Sequence, residues 1–265
     1  MAVAIEQLGA DLLAETEDLI GLVISLRPAG WESPTPAPGW SIRDQIGHLA
    51  YFDEQVSLAA TDPHAFGAER LEALADVDQF VDRIIRATRR RPADGLVPWL
   101  QQARGAMIEC TAALAPGVRI PWFGPDMSVA SALTARIMET WAHGQDVADA
   151  LGATRTPAAR LRHVAFLGFQ SFPNSYRSRG LEVPAAAVRV ELEGAGGEPW
   201  LFGPEGAVDV VRGPAADFCL VVTQRRHLDD TDLVCVGPVA SEWMGIAQAF
   251  AGPPGPGRRA GQFAH

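Results

Sequence analysis

Apolar residues recur at helical spacing through the first two-thirds of the chain and at strand spacing only beyond about position 185. Over residues 4–27, Leu8, Leu12, Leu19, Leu22 and Val23 fall on one helical face, and Pro28-Ala29-Gly30 closes the run. A loop carrying Pro34, Pro36, Pro38 and Gly39 leads to Trp40. Ser41 is then an N-cap residue with Asp44 in capping-box position, which predicts a helix from 41 to about 61. Residues 69–90 predict a third helix, and Pro92 starts a fourth that ends near Pro116-Gly117. Ser128 caps a fifth over 129–151, stopped by Gly152, and a sixth runs from Pro157 to about Phe172. Long helices joined by short connections predict an antiparallel bundle.

The texture then changes. Residues 188–193 alternate apolar and charged side chains, residues 194–197 make a turn, and 200–202 and 208–211 read as further strands. Gly213-Pro214 opens a helix to about Gln224, residues 233–236 form another strand, and 239–250 a final helix. The expected fold class is α+β: a helix bundle over 1–180, a small α+β domain over 181–251, and a Gly-, Pro- and Arg-rich tail over 252–265 that composition marks as disordered. There is no internal repeat.

Composition narrows the options. Of the 265 residues, 48% are hydrophobic and 20% charged, which is the balance of a globular protein. The net charge of −10 argues against a nucleic-acid or anionic-membrane surface, because phosphate attraction needs a basic footprint. All 22 basic residues are arginine; with the abundance of Ala, Gly and Pro, this points to a GC-rich bacterial coding sequence. Cys110, Cys219 and Cys235 are odd in number and sit among apolar neighbours, so they are expected to be reduced, buried thiols. The N-terminal stretch is amphipathic and acidic, with Glu15, Glu17 and Asp18, unlike a secretory signal, and no apolar run reaches membrane-spanning length. The expected location is the cytoplasm.

Candidate chemistry concentrates on two helices. Glu139 and His143 are four apart, hence on one helical face, and His48 lies on the apolar stripe with Ile42, Gln45, Leu49 and Phe52. Two imidazoles and a carboxylate form a three-ligand set of the kind catalytic zinc favours. Taken singly, each residue has a plainer role: His48 as a hydrogen-bonded core histidine, and Glu139 with His143 as a surface pair.

The stretch Gly39-Trp40-Ser41-Ile42-Arg43-Asp44-Gln45-Ile46-Gly47-His48-Leu49-Ala50 resembles the second-helix signature of the DinB-like superfamily, and more narrowly the N-terminal domain of mycothiol-dependent maleylpyruvate isomerases. Glu139-Thr140-Trp141-Ala142-His143-Gly144-Gln145-Asp146-Val147 resembles that family's second motif. The resemblance implies metal ligands at His48, Glu139 and His143, with zinc first and nickel, manganese or iron as further candidates. It also implies a sterol-carrier-like α+β domain after the bundle, where Arg212-Gly213-Pro214-Ala215-Ala216-Asp217-Phe218 matches a helix start. At that helix's end the family carries a functional arginine, for which Arg225 is the preferred equivalent; Arg225 and Arg226 could instead complement the helix dipole as a solvated end. The region 228–251 departs from the isomerases and is closer to an uncharacterised sister group.

The implied function is a metal-dependent enzyme that uses a low-molecular-weight thiol such as mycothiol, acting as isomerase or S-transferase on a small electrophilic substrate. The alternative is a non-catalytic or hydrolytic metal-binding protein whose sterol-carrier-like domain holds an apolar ligand. Asp44 and Asp146 are candidates to orient the ligating histidines, and for Asp44 the capping role competes. His64, His163, His227 and His265 have no partner at metal-ligand spacing, and Trp40, Trp141 and Trp243 are expected to pack, with Trp141 a candidate pocket wall.

Overall fold

The structure, a computed structural model, describes residues 4–115 and 117–263. The chain divides into two compact units, one ending at Arg155 and the other starting at Thr156. The first holds α1 (Ile5–Val23), α2 (Ile42–Thr61), α3 (Pro63–Ala75), α4 (Val77–Arg89), α5 (Leu96–Ala112) and α6 (Val129–Leu151), with a two-stranded ribbon of β1 (Arg119–Ile120) and β2 (Met127–Ser128) ahead of α6. The bundle is made by α2 packing on α5 and α6, and α1 packing on α6. Its apolar centre includes Leu19, Val23, Trp31, Ile46, Leu49, Leu100 and Val147.

Local chemistry sets the ends of these helices. The Ser128 hydroxyl accepts the Ser131 N–H at 3.1 Å to start α6, and Gly152, at φ 62°, ends it in the left-handed conformation that glycine adopts without cost. The helix expected over 69–90 is two helices. Asp62 and Asp76 each leave helical geometry and accept an N–H three residues on, from Ala65 and Gln79, both at 3.0 Å, so each starts a new helix. The resulting α3–α4 hairpin lies against α2, where Gly47 leaves room for the Thr88 side chain.

Inside the bundle the carboxylate of Asp53 joins two arginines. Arg104 Nε donates to Asp53 Oδ2 at 2.5 Å and Arg136 Nε to Asp53 Oδ1 at 2.8 Å. Arg104 also donates to the hydroxyls of Thr16 (2.7 Å) and Thr140 (3.1 Å), and Arg136 to the Leu49 carbonyl (3.1 Å). Four helices, α1, α2, α5 and α6, thus share one buried polar knot.

The second unit contains α7 (Leu161–Gln170), α8 (Phe172–Arg177), β3 (Val188–Glu193), β4 (Pro199–Phe202), β5 (Asp209–Pro214), α9 (Ala215–Val222), β6 (Val234–Val236) and α10 (Pro238–Ile246). The sheet order is β4-β3-β5-β6, with β3 and β5 parallel and the two outer pairs antiparallel. On β3 the apolar Val188, Val190 and Leu192 are buried, as the period-two pattern requires. α7 packs on α9, and Gly168 allows the approach: a Cβ there would lie 2.7 Å from Val222 Cγ2. Because of that packing, α7 and α8 fall in the second unit, whereas periodicity alone drew the bundle as far as 180. The last helix stops at Ile246, short of the expected 250, because the chain turns extended at Ala247 and the Ala249 N–H bonds the Val222 carbonyl at 2.8 Å. The tail, marked by composition as disordered, makes defined contacts as far as it is described: the Gly261 N–H donates to Asp230 Oδ1 at 2.7 Å, and the Phe263 ring lies under the Arg226 guanidinium. Among the described residues, no helix is long and apolar enough to cross a membrane.

Candidate metal centre

His48 sits in the second turn of α2, whose start is fixed by Asp44. The Asp44 carboxylate accepts the Ser41 N–H and hydroxyl, both at 2.9 Å, and receives Arg89 from α4 at 2.8 and 3.0 Å. Glu139 and His143 are one turn apart on α6. The three side chains each offer a ligand atom, and these atoms lie within 4.8 Å of one another. Glu139 Oε2 is 3.2 Å from His143 Nε2 and 3.8 Å from His48 Nε2. His143 is buried, while His48 and Glu139 keep about a fifth of their side chains exposed (18% and 23%), so the cluster is reachable from solvent.

Aromatic rings hold the two imidazoles. The Trp40 ring stacks on His143 with centroids 5.9 Å apart and 16° between planes, and Phe52 lies 4.6 Å from His48. Trp122 and Phe123, from the loop between β1 and β2, extend this wall by packing on Phe52. His143 Nδ1 meets Gln45 Oε1.

The electrostatics suit a cation. Burial, reinforced by the neighbouring His143, lowers the His48 pKa to about 4, so the ring is neutral at physiological pH and keeps a lone pair. Burial alone would raise Glu139, but its contacts with His143 and His48 outweigh it and hold the carboxyl well below the usual range. One carboxylate oxygen and two imidazole nitrogens at this spacing are a donor set that zinc and neighbouring transition metals accept.

Other candidates fall elsewhere. Asp44 is engaged with the α2 start and Arg89, which leaves the capping role and removes it as an orienter of His48. The orienting contact on His143 Nδ1 comes from Gln45, where Asp146 was the candidate. Trp141 is buried, and it meets Arg155 rather than the cluster: its carbonyl accepts Arg155 Nη1 at 2.8 Å and its ring lies beneath the Arg155 guanidinium. Trp243 packs in the second unit on Phe172 and Phe218. Arg225 also lies in the second unit, past the end of α9, where its Nη1 donates to the Thr223 carbonyl at 2.6 Å. All three cysteines are free thiols; Cys219 is buried, and Cys110 and Cys235 are half-buried. His64, His163 and His227 lie outside the metal-type cluster among the described residues, and His265 is beyond those residues.

Gln45, Trp122, Phe123 and the Asp53 knot escape a sequence reading. Gln45 alone left a trace, by sharing the apolar stripe of His48.

A helix bundle carrying an inward His/Glu/His cluster, followed by a four-stranded mixed sheet, defines the class by fold: a DinB-like bundle with an appended α+β unit. Residues 12–148 match the family described as the mycothiol maleylpyruvate isomerase N-terminal domain, and the chain belongs to that family. Uncharacterised proteins from two strains of Mycobacterium tuberculosis are 46% identical to it over 250 residues, spanning 94% of this chain and 97% of theirs. Among solved structures, the mycothiol-dependent maleylpyruvate isomerase and a histidine-to-alanine mutant of it share the fold with a TM-score of 0.60 at 15% identity, covering 87% of this chain and 93% of theirs.

Proposed function

We propose that the protein is a metal-dependent enzyme of the mycothiol type, an isomerase or S-transferase acting on a small electrophilic substrate. In this view His48, Glu139 and His143 hold one divalent metal, zinc before nickel, manganese or iron. The observation that carries it is the convergence of three ligand atoms within 4.8 Å on a partly exposed rim. A three-ligand set favours catalysis, since structural zinc takes four. When bound, the metal supplies Lewis acidity that lowers the pKa of a thiol or water, and mycothiol supplies the nucleophilic sulfur.

The chain's own groups then divide the work. The neutral His48 ring and the ionised Glu139 offer lone pairs without a proton having to leave first. Trp40 and Phe52 shield one side of the cluster from water and keep the imidazoles in place. Arg225 is the candidate to grip a carboxylate of the substrate or thiol through its planar fork. The protein is placed in the cytoplasm, with a small molecule and a thiol as its partners.

Elemental analysis of gently purified protein tests the first step: about one metal per chain in wild type, and near-complete loss in His48→Ala and Glu139→Ala. Full retention in both variants removes the site. Thermal melting of metal-loaded protein tests the second: mycothiol raises the Tm and unrelated thiols do not. No shift at saturating mycothiol counts against the thiol. Maleylpyruvate, named for the solved relatives, is the first substrate to assay.

A further inference from the structure

The loop that precedes α2 reaches the cluster through a chain of hydrogen bonds whose directions are determined. The Trp40 carbonyl can only accept, so the Thr35 hydroxyl, 3.0 Å away, must donate to it. With its proton committed, Thr35 Oγ1 can only accept from Gln45 across 2.8 Å, which turns the amide NH2 of Gln45 toward Thr35. The amide oxygen therefore faces His143, and the imidazole nitrogen against it, Nδ1, must carry the proton. Gln45 is fully buried, so no water competes for either end of its amide. The backbone holds the relay in register: the Thr35 N–H also bonds the Trp40 carbonyl at 2.8 Å, and Pro34 bridges to Ser41.

This leaves His143 Nε2 with its lone pair aimed at Glu139 Oε2, 3.2 Å away. A metal ion shared by the two acceptors would satisfy both. From this we infer that Gln45, itself oriented by Thr35 and the Trp40 carbonyl, is a positioning residue that fixes the Nδ1–H form of His143 and presents Nε2 as the ligand atom. The inference rests on the metal-binding proposal and adds to it the residue that prepares one ligand.

The test uses the whole protein loaded with zinc, and with cadmium-113 for nuclear magnetic resonance of nitrogen-15-labelled histidine. In wild type, the cadmium coupling is expected at Nε2 of His143, with the proton on Nδ1. Gln45→Leu, which keeps bulk and loses the acceptor, is expected to weaken zinc binding by about 10–100-fold in chelator competition, the usual cost of removing a group that orients a ligand. Gln45→Glu restores an acceptor for Nδ1–H and is expected to bind close to wild type, a rescue that a packing role would not produce. A wild type that takes up no metal removes both this inference and the proposal beneath it. A wild type that loads metal but coordinates through Nδ1, or a folded Gln45→Leu that binds zinc as tightly as wild type, overturns this inference alone.

Discussion

At the scale of single residues, the centre depends on neighbours with no ligand chemistry of their own. Gly47 precedes His48, and any side chain there would overlap Thr88, a buried residue of α4. Gly47→Ala is therefore expected to destabilise by about 1–3 kcal/mol through overpacking, seen as a lower urea midpoint at unchanged slope. Cys219 shows the reverse case of a residue with chemistry that the fold suppresses. Burial pushes its thiol well above the ordinary range, so at pH 8 it stays protonated in the folded protein. Thiol titration at that pH should leave Cys219 unmodified until denaturant is added; rapid labelling of Cys219 in native protein would contradict its placement.

At the scale of elements, the bundle is tied by a carboxylate as well as by apolar packing. Asp53 is the only carboxylate that the hydrogen bonds described above give to both Arg104 and Arg136. Asp53→Ala would leave two buried guanidinium groups without it, at an expected cost of about 3–5 kcal/mol in denaturant unfolding. A loss under 1 kcal/mol, below the ~1.4 kcal/mol that a tenfold change in the folding equilibrium requires, would show that the knot is not a keystone of the bundle. In the second unit Asp209 plays a smaller part, accepting the N–H groups of Val239 (2.7 Å) and Ala240 (3.1 Å) at the start of α10. Its replacement by alanine should cost about 0.5–2 kcal/mol, the usual range for a lost N-cap.

At the scale of the whole molecule, ligand binding and stability are linked. A metal that binds the folded chain and not the unfolded one stabilises it by about 2.7 kcal/mol at a free concentration of 100 Kd. Adding zinc to chelator-treated protein should raise the Tm progressively, and His48→Ala should abolish the rise. A Tm indifferent to zinc in wild type would argue that the His/Glu/His cluster is a polar core contact.

Much of this was written locally in the chain. The Ser41–Asp44 pair, Ser128 and Gly152 delimit the helices that carry His48, Glu139 and His143 because capping involves residues within one turn of each other. The four-residue spacing of Glu139 and His143 and the stripe position of His48 likewise follow from helical period alone. Asp62 and Asp76 carried the same kind of signal for α3 and α4, but aspartate is too common on helix surfaces to stand out there. What only the tertiary structure decided are pairings across long separations. Gln45 meets His143 across 98 positions, and Arg104 reaches Thr16 across 88. Nothing in either segment marks its partner, because such contacts are created when helices dock and the buried polar groups must find whichever donors and acceptors the packing brings to them.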